Sequence, residues 1–329
     1  MWLWQAYAPL WHVQVLVRPE SDMLARLLPL AALPLMLLAA PVGAQGVAPL
    51  SITPVSPPGV VPPSVNPTPP SVDKSVYSLF NPTPEAALRG FSTDRPNKSN
   101  SPITVDAGHY QIETDILSGS YSRSRGITTR YYQFADPVLK AGLTNSVDFE
   151  LGFGGYQQSV TTGGGIAAIR GSGFGDLTPR LKWNLLGNDG GDVQIAVIPY
   201  VKIPTAARRI GNGQVEGGAI LTVGVNLPFD FTAIVQTEID ILKNGANNGK
   251  HANFVNLVNL SHAIYGDLTG SVELASQVTG DRGSTNAYTA DFALSYALTP
   301  TLQLDAAAYV GLNRDAPRLT LYTGISRRF

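Results

Sequence analysis

Ser261 and His262 stand side by side with Asn259 close by, and a hydroxyl next to an imidazole is the raw material of a nucleophile–base pair. Adjacent residues of a strand point to opposite faces, so these two cannot exchange a proton unless a partner comes from another strand. Histidine is scarce, and the spacing of His109, His251 and His262 relative to carboxylates suggests no metal site. The chain has no cysteine, which excludes disulfides, thiolate catalysis and cysteine-ligated zinc or iron–sulfur centres. No cofactor is expected. The glycine-rich stretches Thr162–Gly165 and Gly171–Gly175 lack the strand-to-helix setting of a phosphate loop and read as flexible outer loops.

The larger constellation is one of charge. When strands are assigned faces by alternation, one face collects Glu113, Asp115, Asp148, Glu150, Asp176, Glu216, Glu238, Asp240, Glu273, Asp291 and Asp305. Basic residues on that face are fewer: Lys140, Arg180, Lys182 and Lys202. Arg180, Lys182 and Lys202 fall on neighbouring strands and should make a basic patch opposite an acidic wall. Two readings stay open. The charges form a constriction that orients a permeant, cation-preferring overall with a local site for an anion or phenolate, or they form a salt-bridge ladder that fills a narrow lumen.

The elements that would hold these charges are strands. Only 14% of 329 residues are charged, the net charge is −1 and mean hydropathy is near zero. Alternating lipid-facing and lumen-facing residues produce such an average, and nothing here draws the chain to nucleic acid. From Leu268 to Val278 even positions are apolar or small and odd ones mostly polar. Val193, Ile195, Val197, Val201 and Ile203 share a face opposite Gln194, Tyr200 and Lys202. The pattern predicts twelve strands, near 109–119, 129–143, 147–161, 176–187, 193–205, 215–228, 231–243, 252–265, 268–280, 286–298, 302–312 and 318–329. The second carries Asp136-Pro137 mid-run, and the eighth alternates poorly. Short links such as Gly266-Asp267 alternate with longer Gly- and Asn-rich ones. Phe149, Trp183, Phe231, Tyr265, Tyr296 and Phe329 gather beside the short links as an aromatic girdle at the lipid headgroups. The expected fold is all-β: a transmembrane antiparallel up-and-down β-barrel over 103–329.

The N-terminus reads as an export signal. Met23-Leu24-Ala25-Arg26 supplies a positive start, Leu27 to Ala40 an apolar run and Val42-Gly43-Ala44 a cleavage site, so translation should effectively begin at Met23 and residues 1–22 be a misassigned extension. Nine prolines between Pro49 and Pro70 forbid regular helix or strand. Residues 45–102 are expected to be a periplasmic linker, with a short helix candidate at Pro84–Arg89.

Several segments resemble a family of bacterial outer-membrane β-barrel proteins associated with the MetA (meta-cleavage) pathway of phenol degradation. They are Asp94-Arg95-Pro96-Asn97, Val105 to Glu113, Gly173 to Trp183, Pro199 to Pro204, Asn256 to His262 and Gly311-Leu312-Asn313-Arg314. The resemblance covers residues 92–329 and implies an outer-membrane location and passage of small aromatic compounds. The terminal strand is similar to the signal read by the barrel-assembly machinery, with Phe329 last and Gly324 upstream; Arg327 departs from it, since an apolar residue is usual there. Expected partners are therefore outer-membrane lipid, that machinery and a small-molecule permeant. A channel or transporter for small organic molecules is the leading expectation, with a closed structural barrel or a lipid hydrolase as alternatives.

Mass spectrometry of the protein extracted from outer membranes should find its N-terminus at Gln45; peptides from residues 1–22 in the mature chain would overturn this reading.

Overall fold

The computed structural model describes residues 73–124, 126–245, 249–281 and 284–329. The export signal and the proline-rich run lie outside these residues. Fifteen strands make one sheet: β1 (Tyr110–Ser124), β2 (Ile127–Phe134), β3 (Val138–Gly142), β4 (Val147–Phe153), β5 (Tyr156–Gly163), β6 (Ile166–Phe174), β7 (Leu177–Leu186), β8 (Val193–Lys202), β9 (Glu216–Asn226), β10 (Phe231–Lys243), β11 (Lys250–Tyr265), β12 (Leu268–Thr279), β13 (Ala287–Thr299), β14 (Leu302–Gly311) and β15 (Leu319–Arg328). Neighbouring strands pair antiparallel in the order β15-β14-β13-β12-β11-β10-β9-β8-β7-β4-β3-β1-β2-β5-β6, and β15 pairs with β1 from Gln111 opposite Arg328 to Tyr121 opposite Leu319. That pairing closes the sheet and leaves the first and last strands no free edge.

Three pairs of strands are single staves of the barrel broken in the middle, so the fifteen make the twelve staves expected. Ala135-Asp136-Pro137 separates β2 from β3, Gly154-Gly155 separates β4 from β5, and Gly175-Asp176 separates β6 from β7. Pro137 cannot donate to a ladder, which explains the first break. The breaks lie side by side: Gly154 N–H donates to Asp176 O at 2.9 Å, and Gly155 N–H donates to the Asp136 carboxylate at 2.9 Å. Backbones approach so closely that a Cβ on Gly155 would stand 2.1 Å from Ala135 O, and one on Gly154 2.5 Å from the Gly175 Cα.

One stretch departs from the sequence reading. Residues 166–174, expected as loop, form β6 and pair with β5 from Tyr156 opposite Phe174 to Gly163 opposite Ile166. Glycines at 171 and 173 hid the strand, because they erase the alternation while leaving backbone pairing intact. The poorly alternating 252–265 segment is a full strand, β11, the longest in the sheet.

Alternation holds where it was read. Gln194, Tyr200 and Lys202 are buried, whereas Val193, Val201 and Ile203 are exposed on the outer wall. Phe149, Trp183, Tyr265, Tyr296 and Phe329 are exposed beside the short turns, and Phe231 stacks on His262 with centroids 4.3 Å apart. The tight turns have matching chemistry: Gly266 takes a left-handed φ of 52° before Asp267.

The segment 73–109 does not stay outside the barrel as a linker. Its short helical piece is a single 3-10 turn, Glu85–Ala87, and Leu79 N–H donates to Leu143 O at the β3–β4 turn. Beyond it, Ser99, Asn100, Ser101, Thr104 and Asp106 are all buried. Polarity misled here, because a polar segment reads as solvated until a polar cavity is found to receive it.

Gly155→Val should force the β2–β3 and β4–β5 breaks apart and cost about 1–3 kcal/mol, the usual penalty of overpacking. The variant should lose its heat-modifiable gel migration at a lower temperature than the parent, whereas Gly165→Val, at a site with open space around it, should suffer only the strain of its left-handed backbone.

Candidate functional site

The inward faces of the staves converge on residues 94–105, which run around the inside of the wall. Asp94 and Arg95 meet β1, Arg95 and Pro96 meet β14, and Asn97 to Ser99 meet β12 and β13. Asn100 meets β9 and β10, Pro102 meets β7, and Val105 meets β4. A segment without regular structure has backbone N–H groups that no ladder satisfies, and burying them unpaired is costly. The wall supplies the acceptors. Glu113 receives the N–H groups of Asp94 (3.0 Å) and Arg95 (3.3 Å), and Glu273 receives those of Lys98 and Ser99, both at 3.1 Å. Gln236 Oε1 receives Asn100 N–H at 2.7 Å, and Asp148 receives Val105 N–H at 2.8 Å.

Side chains complete the attachment through three buried clusters. Asp94 accepts from Lys140 at 2.6 Å and Lys182 at 2.9 Å, with Arg180 at 3.5 Å. Burial alone would raise its carboxyl, but Lys140, Lys182 and Arg180 together hold it well below the usual carboxylate range. Glu150 lies beneath the same cations, 3.1 Å from Lys182 and paired with Arg180. Arg95 forks onto Asp305 at 2.7 and 3.1 Å, pairs with Asp115 and sits 4.9 Å from the Tyr322 ring centroid. Lys98 reaches Asp291 at 2.7 Å and Thr289 at 2.6 Å over the ring of Tyr309. A void of about 60 Å³ remains between Arg95, Lys98, Asp115, Asp136 and Arg180, room for a few waters.

Of the fifteen charged residues singled out from the sequence, fourteen are buried inside the barrel and Asp176 is half-buried. Nine of them touch the inner segment: Glu113, Asp115, Lys140, Asp148, Arg180, Lys182, Glu273, Asp291 and Asp305. Glu150 is tied to it through Arg180 and Lys182. Asp176, Lys202, Glu216, Glu238 and Asp240 lie away from it, the first three bound to one another. The basic patch does not form as expected. Lys202 is bound to Asp176 at 3.1 Å, Glu216 at 2.9 Å and Asn212 at 2.7 Å, apart from Arg180 and Lys182, which share Asp94 and Glu150. Each of the three cations is met by carboxylates, so the patch offers no anion a free positive charge.

Asp94, Arg95, Lys98 and Asn100 were missed as site residues. Their signal is the run of charged and amide side chains from Asp94 to Asn100, together with a wall that carries more carboxylates than cations. Gly324 has a packing reason as well: a Cβ there would stand 1.9 Å from the Arg95 guanidinium, so only glycine leaves that place open. Phe329 is exposed, while its backbone N–H donates to Tyr110 O at 2.8 Å and its terminal oxygen lies 3.2 Å from His109 Nδ1. Ser261 and His262 do not meet. The hydroxyl donates to Thr232 O at 3.3 Å, and the imidazole Nε2 lies 3.0 Å from Phe229 O.

The family model described as "Putative MetA-pathway of phenol degradation" matches residues 93–329. An outer membrane channel from Pseudomonas putida F1 is similar with a TM-score of 0.50 at 14% identity, over 67% of this chain and 95% of that one. The NanC porin gives 0.44 at 11% identity over 66% and 98%, and the CymD monoaromatic hydrocarbon channel 0.34 at 9% over 67% and 87%. The first likeness is one of fold. No curated protein matches the sequence.

Asp94→Ala should leave Lys140 and Lys182 facing each other with less counter-charge, a change that costs about 3–5 kcal/mol when it breaks a buried pair. Limited proteolysis of the folded barrel should then cut between residues 91 and 106, where the parent resists.

Proposed function

This chain belongs to the family of the MetA pathway of phenol degradation, and on that premise we propose that it is an outer-membrane channel for small organic molecules whose lumen is closed at rest by its own residues 94–105. The observation that carries the reading is the nature of the closure. The inner segment is held by hydrogen bonds and ion pairs to a polar wall, with few apolar contacts. Water can replace such bonds one at a time, so a hydrated path opens when the segment shifts, whereas an apolar core would have to be dismantled whole.

The family description favours small aromatic compounds as the permeant. Outer apolar staves with aromatics at the turns support residence in the bacterial outer membrane. Carboxylates outnumber cations on the inner wall, and each of those cations is held by carboxylates. A lumen of that sign favours cations and neutral molecules over aromatic acid anions. The occlusion also supports a second reading, a closed structural barrel that conducts nothing.

Planar bilayer recordings separate the two. The parent should show small or brief openings with cation preference. Arg95→Ala combined with Lys98→Ala, which removes two of the three side-chain anchors and uncovers Asp115, Asp291 and Asp305, should raise conductance several-fold and sharpen that preference. A parent and a double variant that are both electrically silent, though inserted, would give the case to the structural barrel.

A further inference from the structure

The two ends of the barrel carry opposite charge. Asp189, Asp192, Asp230 and Asp267 are exposed at the short turns, whereas Arg123, Arg130, Arg170, Arg208 and Arg209 are exposed at the other end. Neither 121–133 nor 156–174 contains an acidic residue. Among the described residues none of these five arginines makes an ion pair, while the lumen cations are held by carboxylates. Five guanidinium groups gathered without a counter-charge repel one another, and an anion from outside the chain relieves that.

The register fixes which way these arginines point. Phe134, Tyr156 and Phe174 stand opposite one another across β2, β5 and β6, all exposed, and the rings of Tyr156 and Phe174 meet edge to face at 5.6 Å. Four residues further along each strand the matching row is Arg130, Val160 and Arg170, with Arg123 one step beyond, opposite Thr128. Side chains alternate between faces, so a separation of four keeps the arginines on the outer face with the rings. Tyr131, Gln133 and Ser159, at the alternate positions, are buried. Arg209 joins from the β8–β9 link, its guanidinium donating to Arg170 O at 3.2 Å beside β6, where the sheet order ends.

We propose that this outward face, Arg123, Arg130 and Arg170 with Arg209 beside them, binds the phosphate groups of a glycolipid in the outer leaflet, whose acyl chains lie on the aromatic row below. Exposed rings on a barrel wall mark the headgroup level. At about 3.4 Å per residue and a tilt of about 40°, four residues carry the arginine row about 10 Å further out, past the acyl chains and among the headgroups. A guanidinium takes phosphate oxygens two at a time, so arginine suits this anion better than a point charge would. Arg130 and Arg170 are two strands apart, about 10 Å, so one headgroup with two phosphates can engage both. A zwitterionic phospholipid brings its own ammonium to its phosphate and leaves the arginines less to bind. A lumen permeant does not reach them at all. The proposal rests on the reading that the barrel resides in the outer membrane.

Native mass spectrometry of the full-length exported protein, purified in detergent with EDTA so that no metal bridges the anions, measures retention of bisphosphorylated lipid A. The protein should retain it, and should retain dephosphorylated lipid A about tenfold less, the scale of one charge-assisted bond. Arg130→Gln combined with Arg170→Gln should lower retention of lipid A by a similar factor. Both side chains are exposed, so the double variant should keep the parent's heat-modifiable migration; Arg209→Gln is the milder variant should assembly suffer. Lys250→Gln, exposed at the same end on β11, should change nothing. Equal retention with and without phosphates, or by parent and double variant, overturns the proposal. Phosphatidylglycerol retained as well as lipid A overturns it in favour of a general anionic lipid surface. An outer-membrane protein whose double variant still holds lipid A refutes the site alone. A protein that fractionates with the inner membrane, yet loses lipid A with its arginines, refutes the outer-membrane reading and leaves the phosphate site standing.

Discussion

A carboxylate sealed inside a closed barrel has to find a partner or surrender its charge, and much of this structure follows from that constraint. The inner wall presents more carboxylates than the wall's own cations can meet. Residues 94–105 restore the balance in two ways: Arg95 and Lys98 bring positive charge to Asp115, Asp305 and Asp291, and backbone N–H groups take up Glu113, Glu273 and Asp148. Asp94 works in the opposite sense, separating three crowded cations of β3 and β7. Wall and inner segment are therefore each incomplete without the other. Neither would be a tolerable surface in a dry interior.

The barrel is shaped to accept this arrangement. Closure of β15 on β1 puts Gly324 beside Asp115, and the missing side chain there gives the Arg95 guanidinium its place between Asp115 and Asp305. The aligned breaks in three neighbouring staves use Gly154, Gly155 and Gly175 where backbones touch, and Asp136 turns inward to hold Gly155 N–H at one of them. Geometry and electrostatics meet at the same level of the barrel, where the 60 Å³ void also lies.

The same bonds that close the lumen make the closure reversible in principle. Ion pairs and hydrogen bonds to a polar wall have aqueous substitutes, so water can take over each bond as it is given up.

Most of the strands, their inward and outward faces, and the inward position of the charged candidates were legible from the chain itself. A period of two is a local property: once Val193 faces lipid, Gln194 must face the lumen. β6 was not legible, because Gly171 and Gly173 carry no side chain to mark a face while their backbones still pair. Nor was the partner of each charge. Asp94 and Lys182 are 88 positions apart, Arg95 and Asp305 are 210 apart, and nothing in the local pattern ties them together. Alternation tells which way a side chain points but not what stands opposite. Only closing the sheet and folding a polar segment into it decided that the carboxylates of the wall would be bound by the protein's own N-terminal residues, since charge pairing acts through space and leaves no period in a sequence.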